Sequence, residues 1–218
     1  MKIIAHRGCS ERFTENTMES FSEAIKTGSS ILETDICITL DKILVITHNN
    51  VDKDTGKTIS KTNFSNSEHL NLDTFLQAFS SMNVLFVFDL KEFTSDITIL
   101  KILMNKLHSY DVCHKSTIAS FNGLHLEYLR DYRLAGIKTA LITESIDCDF
   151  FKKTVEKTEI DYLIVPVAHA TSELIYKCPV PVMAYTCNTL GYFKHCLEIG
   201  IHGIFSDCPE RFNQKNVP

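Results

Sequence analysis

Short runs of β-branched, aliphatic and aromatic residues recur along the chain at Lys2–His6, Ser30–Ile36, Leu44–His48, Val84–Lys91, Thr117–Ser120, Thr139–Thr143, Tyr162–Pro166, Val180–Thr186 and Gly203–Asp207. Most are separated by segments whose apolar positions follow the helical period. Met18, Phe21, Ala24 and Ile25 form one such stripe, Leu72, Phe75, Leu76 and Phe79 a second, and Ile97, Leu100, Leu103, Met104 and Leu107 a third. Each stripe can cover one face of a sheet. Gly28 and Gly136 fall where a left-handed residue closes a helix. Strand and helix in alternation predict a parallel sheet built from βα repeats.

One connection breaks the alternation. Between Ile36 and Leu44 there is no room for the dozen or so residues that a parallel crossover needs. Leu40-Asp41-Lys42-Ile43 reads instead as a tight turn, so the third run returns as a hairpin beside the second. Removing that member leaves about eight strands, and the chain length of 218 residues lies near the lower end for an eight-stranded α/β barrel. A doubly wound open sheet is the structural alternative. It calls for a Gly-rich phosphate turn after the first strand, where this chain offers only His6-Arg7-Gly8. The expected fold is therefore a single-domain (β/α)8 TIM barrel over residues 1–218. Asn49–Glu68, the one long polar stretch, is expected to pass over the barrel mouth.

Composition narrows the classes of function. Lys and Arg number 22 against 27 Asp and Glu, a net charge of −5. That sign argues against affinity for nucleic-acid phosphates. The sequence holds no transmembrane segment of about 18 or more apolar residues and no signal-peptide pattern at its start. Eight cysteines are scattered without a C-x-x-C pair, which fits neither a zinc site nor a compact disulfide framework. A cytoplasmic, reducing location is the expectation.

The informative positions are polar residues at the ends of the first four runs: His6 and Arg7, Glu33 and Asp35, His48, then Asp89 and Lys91. Side chains two apart on a strand share a face, so Glu33 and Asp35 point the same way, as do Asp89 and Lys91. With Leu32, Ile36, Phe86, Phe88 and Leu90 facing the helices, the carboxylates face the barrel interior near its C-terminal mouth. Three converging carboxylates make an oxygen-rich site for a hard divalent cation, Mg²⁺ or Ca²⁺. Two flanking histidines suit acid and base work near neutral pH. Arg7 and Lys91 supply fixed positive charge for a substrate phosphate. A single acid at a strand end is ordinarily a turn or capping group, and a structural salt-bridge network is the alternative to a site. Against that, buried charge is costly unless paired or metal-bound. His108, His114, His125, His169, His195 and His202 fall on helical or loop segments and are read as surface or core residues, and Phe13, Phe21, Phe75 and Phe79 as core.

The chain resembles the glycerophosphodiester phosphodiesterases, within the phospholipase C-like phosphodiesterase superfamily. The residues that carry the resemblance are His6-Arg7-Gly8, Glu15-Asn16-Thr17, Glu33-Thr34-Asp35, Thr47-His48-Asn49 and Asp89-Leu90-Lys91, followed by Tyr185-Thr186-Cys187-Asn188 and Gly200 through Pro209. The resemblance implies an α/β barrel in which Glu33, Asp35 and Asp89 hold a divalent metal and His6 and His48 are acid and base. Tyr185 then lines the substrate pocket. The implied reaction converts a glycerophosphodiester, with water, into an alcohol and a glycerol phosphate, and a lysolipid is the other small-molecule substrate that the resemblance brings in.

Two departures bear on this. The family usually has Glu where this chain has Asp89, and Trp where it has Tyr185; the sequence contains no Trp. The segment after His48 also differs, reading Asn49-Asn50 and Asp54-Thr55-Gly56. A D-x-K arrangement after Glu-Thr-Asp is similar to the sphingomyelinase D branch. The alternatives are thus a sphingomyelinase D-like or lysophospholipase D-like activity, or a barrel that binds a phosphodiester without turning it over.

Overall fold

The computed structural model describes residues 1–51, 56–66, 68–91, 96–144, 155 and 157–212. Among them, ten strands form one sheet: β1 (Lys2–His6), β2 (Ile31–Ile38), β3 (Leu44–Ile46), β4 (Leu70–Asn71), β5 (Leu85–Leu90), β6 (Ser116–Ser120), β7 (Lys138–Ile142), β8 (Tyr162–Pro166), β9 (Val182–Tyr185) and β10 (Gly203–Ser206). Strands β1, β2 and β5 through β10 are parallel neighbours, and β1 pairs with both β10 and β2. The sheet therefore closes into an eight-stranded parallel barrel. Strand β3 returns antiparallel beside β2, with Ile38 opposite Leu44, and β4 adds antiparallel to β3. Lys42 adopts φ 66° in the intervening turn, where its N–H donates to the Thr39 carbonyl at 3.0 Å.

Six helices among the described residues wrap the barrel: α1 (Met18–Lys26), α2 (Leu72–Phe79), α3 (Thr98–Ser109), α4 (Gly123–Leu129), α5 (Ser172–Lys177) and α6 (Leu190–Glu198). Their starts are set by side-chain caps. The side chains of Thr17, Asn71, Asn122, Thr171 and Thr189 each accept a hydrogen bond from a first-turn N–H. The first three follow the long apolar stripes in the sequence. Helices α5 and α6 bury few side chains, only Leu174 on α5 and Phe193 with Cys196 on α6, and α4, which buries His125, Leu126 and Leu129, is only seven residues long, so their period is weak in the sequence.

The core divides into two layers. Inside the barrel, Ile4, Val87, Ala119, Ile142, Ile164 and Phe205 belong to a plug of interlocking side chains. Outside it, Leu32, Ile36, Phe86, Phe88 and Leu90 pack against helix residues such as Phe21, Phe75 and Leu103. Phe75 is the hub, with ring centroids 4.9 Å from Phe21, 5.1 Å from Phe79 and 5.7 Å from Phe86. Phe13 packs on the margin of this layer. Six of the seven described cysteines are buried and all seven are free thiols; Cys148 lies outside the described residues. His125, fully buried, meets the Ser120 hydroxyl at 3.2 Å. No helix among the described residues is long and apolar enough to cross a membrane.

Because Phe75 joins the helical layer to the sheet, Phe75→Ala should lower unfolding free energy by about 3–5 kcal/mol. Urea unfolding followed by far-UV circular dichroism measures this. A loss below about 1 kcal/mol would show that the outer layer repacks around the missing ring.

Candidate active site

Strand β1 ends at His6, and the chain then turns through two left-handed residues, Arg7 at φ 58° and Gly8 at φ 87°. Glycine is required at the second. A Cβ on Gly8 would lie 2.3 Å from Ser20 Oγ and 2.5 Å from the Ser20 carbonyl carbon. This close approach lets the Ser20 hydroxyl donate to the Arg7 carbonyl at 2.8 Å, fastening the turn to α1. Arg7 is thereby aimed across the barrel mouth. Its Nη1 donates to Glu15 at 2.8 Å, and its Nε lies 3.0 Å from Asp35 Oδ2.

Glu33 and Asp35 sit on the inward face of β2, and β5 runs beside it with Asp89 in register with Asp35. The three acids are 2%, 0% and 8% exposed, and each offers an oxygen within 4.8 Å of the others. The Lys91 ammonium lies 2.9 Å from Asp35 Oδ1 and 2.5 Å from Asp89 Oδ2. Glu33 accepts from the Arg7 N–H at 3.0 Å. Asn16, at φ 59°, donates to Asp35 Oδ2 at 2.8 Å while its own oxygen accepts from Thr34 at 3.0 Å. All seven charged or imidazole residues singled out in the sequence, with Tyr185, thus gather at one mouth.

Their charges do not balance. Three carboxylates face two fixed cations in a nearly dry site. Burial and the neighbouring Asp35 charge push Glu33 up to about 8. Burial raises Asp89 to about 6 despite Lys91. Burial also opposes ionisation of Asp35, yet Lys91 and Arg7 hold it below the usual carboxylate range. Asp89 Oδ1 is buried without a hydrogen-bond partner among the described residues. A spare anionic oxygen, an uncompensated charge and ligand atoms at this spacing fit a hard divalent cation, whose oxygen ligands stand about 2.0–2.6 Å from the ion.

His6 and His48 flank the cluster. His6 Nδ1 lies 2.6 Å from Asp207 Oδ1. Asp207 is itself fixed by the Ser10 hydroxyl at 3.0 Å and by Asn188 Nδ2 at 2.6 Å. Burial would lower His6, but the hydrogen bond to Asp207 and the Glu33 charge raise it above its ordinary value. The same bond and its partners hold Asp207 at about 2 against burial. His48, after β3 at the rim, is lowered by partial desolvation although Asp35 opposes the shift.

These groups line a cavity of about 680 Å³. Asn49 and Asn50 reach its edge, so the start of the polar excursion does meet the mouth; residues 52–55 and 67 lie outside the described set. The rest of the lining is largely apolar, made by Val87, Ala119, Phe121, Ile142, Ile164 and Phe205, with Tyr185 and Glu144 among them. Sequence reasoning gave no role to Asp207, Asn188, Asn16 or Glu144. The first three lie inside the motifs already noted, and Glu144 follows a strand end as the catalytic candidates do.

The sequence matches the Glycerophosphoryl diester phosphodiesterase family over residues 6–177. A glycerophosphodiester phosphodiesterase of Bacillus altitudinis is 22% identical, covering 96% of each chain. Human lysophospholipase D GDPD1 is 37% identical over 76 residues, 34% of this chain and 23% of the human protein. Among solved structures, the Oleispira antarctica phosphodiesterase in complex with the product sn-glycerol-3-phosphate superposes with a TM-score of 0.87 at 19% identity, covering 97% of this chain and 94% of the other. With the family match spanning most of the chain and the barrel matching as a whole, the protein belongs to the glycerophosphoryl diester phosphodiesterase family, a class of phosphoric diester hydrolases.

Proposed function

We propose that the protein hydrolyses glycerophosphodiesters to an alcohol and a glycerol phosphate, with a divalent metal, Mg²⁺ or Ca²⁺, on Glu33, Asp35 and Asp89 and with His6 and His48 as the proton-transfer pair. The observation that carries this is the buried, charge-deficient carboxylate cluster between two histidines in a member of this family. A metal at the cluster would supply Lewis-acid stabilisation of phosphate charge. Arg7 and Lys91 place fixed positive charge beside the same position, complementing the charge that builds on the phosphoryl oxygens.

The two imidazoles differ in the direction that acid–base work needs. Asp207 holds the His6 Nδ1 proton and favours the imidazolium, so His6 gives a proton to the leaving alkoxide. His48 is held neutral by desolvation and takes a proton from the attacking water. One proton enters at His48 and one leaves at His6, which balances cleavage of one P–O bond by one water. The co-bound sn-glycerol-3-phosphate of the Oleispira antarctica relative supports a glycerol phosphate product.

Excess EDTA should abolish hydrolysis of glycerophosphocholine, and Mg²⁺ or Ca²⁺ should restore it. His6→Ala and His48→Ala should each lower kcat by about 10² to 10⁴ with metal still bound. Turnover that survives EDTA would overturn the metal reading. Tight binding of sn-glycerol 3-phosphate with no turnover of any diester would identify a binding barrel instead.

The pH profile follows from the two shifts. Activity should rise as pH climbs through the lowered His48 value and His48 becomes neutral, then fall as pH passes the raised His6 value and His6 loses its proton. Asp207→Asn removes the anion that raises His6, so the alkaline limb of kcat/KM should move to lower pH while the acid limb stays. An alkaline limb that does not move would assign it to another group.

A further inference from the structure

The cavity has a charged wall and an apolar one, and the apolar wall carries two polar groups, Tyr185 and Glu144. The Tyr185 hydroxyl, at the end of β9, is shielded from bulk solvent and has no hydrogen-bond partner among the described residues. A buried hydroxyl without a partner is destabilising, and phenylalanine would fill the same space without that cost. Glu144 stands just beyond β7, exposed to the cavity. Burial raises the Tyr185 phenol, so the group that faces the cavity is a neutral donor. Strand β8 separates β7 from β9; Tyr185 pairs with Pro166, two residues beyond the Ile164 that pairs with Ile142, so Glu144 and Tyr185 flank β8 at one level of the barrel mouth and both line the cavity.

A phenol has one proton to donate, and an ionised carboxylate only accepts. A substrate hydroxyl satisfies both at once, accepting from Tyr185 and donating to Glu144. A phosphate would be repelled by Glu144, and an ammonium, having no acceptor, would leave the phenol proton unpaired. We propose that Tyr185 and Glu144 form a hydroxyl-recognition site that holds the glycerol end of the diester while the phosphate lies at Arg7 and Lys91. This rests on the phosphodiesterase reading and makes Tyr185 a specificity determinant outside the proton-transfer machinery. An indole at this position could also donate, but from a different point on a larger ring.

The test compares a glycerol diester with its propane-1,2-diol counterpart bearing the same head group. The second lacks the terminal hydroxyl and keeps the one beside the phosphate, so a cyclic-phosphate route stays open to both. With Mg²⁺ present, the parent protein should favour the glycerol diester by about 10- to 100-fold in kcat/KM. Tyr185→Phe should lose that factor on the glycerol diester, mainly through KM, and stay within about twofold of the parent on the propanediol diester. Calorimetric titration with sn-glycerol 3-phosphate and with propane-1,2-diol phosphate should show the same pattern in affinity. Equal losses on both diesters would reduce Tyr185 to a structural role and overturn the proposal, as would a parent protein that hydrolyses both diesters alike. If Glu144→Ala selectively loses diesters with an ammonium head group, the site recognises cations and the proposal fails. A parent protein that neither hydrolyses any diester nor binds glycerol phosphate would instead overturn the phosphodiesterase reading beneath it.

Discussion

Burying three carboxylates with ligand atoms within 4.8 Å of one another is costly, and much of the local architecture at the barrel mouth offsets that cost. Arg7 and Lys91 offset part of the charge, and Asn16 and the Arg7 N–H take two of the lone pairs. What they leave is a Glu33 carboxyl pushed to about 8, which needs a further cation to keep its charge near neutral pH, and, among the described residues, one orphaned oxygen on Asp89. A fully neutralised cluster would be a structural salt-bridge network. The deficit is what makes it a cation site, because a divalent ion gains from the same oxygens that repel one another in its absence.

Each supporting feature can be followed back to this constraint. The register of β2 against β5 sets Asp35 beside Asp89, so one ammonium can serve both. The left-handed turn at Arg7 and Gly8 swings the guanidinium over Asp35 in place of continuing the strand. Only glycine allows it, since α1 packs against that point. On the other flank, β10 delivers Asp207 to His6 from the far end of the chain, which barrel closure alone makes possible.

Much of this was legible in the sequence because both the barrel and its site depend on period-two placement. Glu33 with Asp35, and Asp89 with Lys91, announce a shared face regardless of what lies elsewhere. The strands were legible for the same reason, although β4, at two residues, is too short to leave a pattern. Helices α5 and α6 escaped because few of their side chains are buried and an apolar stripe records only burial, and α4 escaped because its seven residues are too few to show a period. The pairings of His6 with Asp207 and of Arg7 with Glu15 and Asp35 depend on tertiary closure and on a positive φ, neither of which residue spacing encodes. Tyr185 was visible as a departure from the family pattern, but its unpaired hydroxyl and the proximity of Glu144 are facts of three-dimensional placement.

The central claim is that the carboxylate cluster is destabilising alone and stabilising with a divalent ion. Thermal unfolding of the parent protein and Glu33→Gln, in EDTA and in millimolar Mg²⁺ or Ca²⁺, tests it directly. The glutamine oxygen can still accept from the Arg7 N–H, so the substitution removes charge while keeping that hydrogen bond. The account predicts that Glu33→Gln melts at or above the parent temperature in EDTA. It also predicts that metal raises the parent's Tm in a concentration-dependent way and leaves the variant nearly unmoved. A variant that melts lower than the parent in EDTA, together with a parent Tm indifferent to either ion, would contradict it.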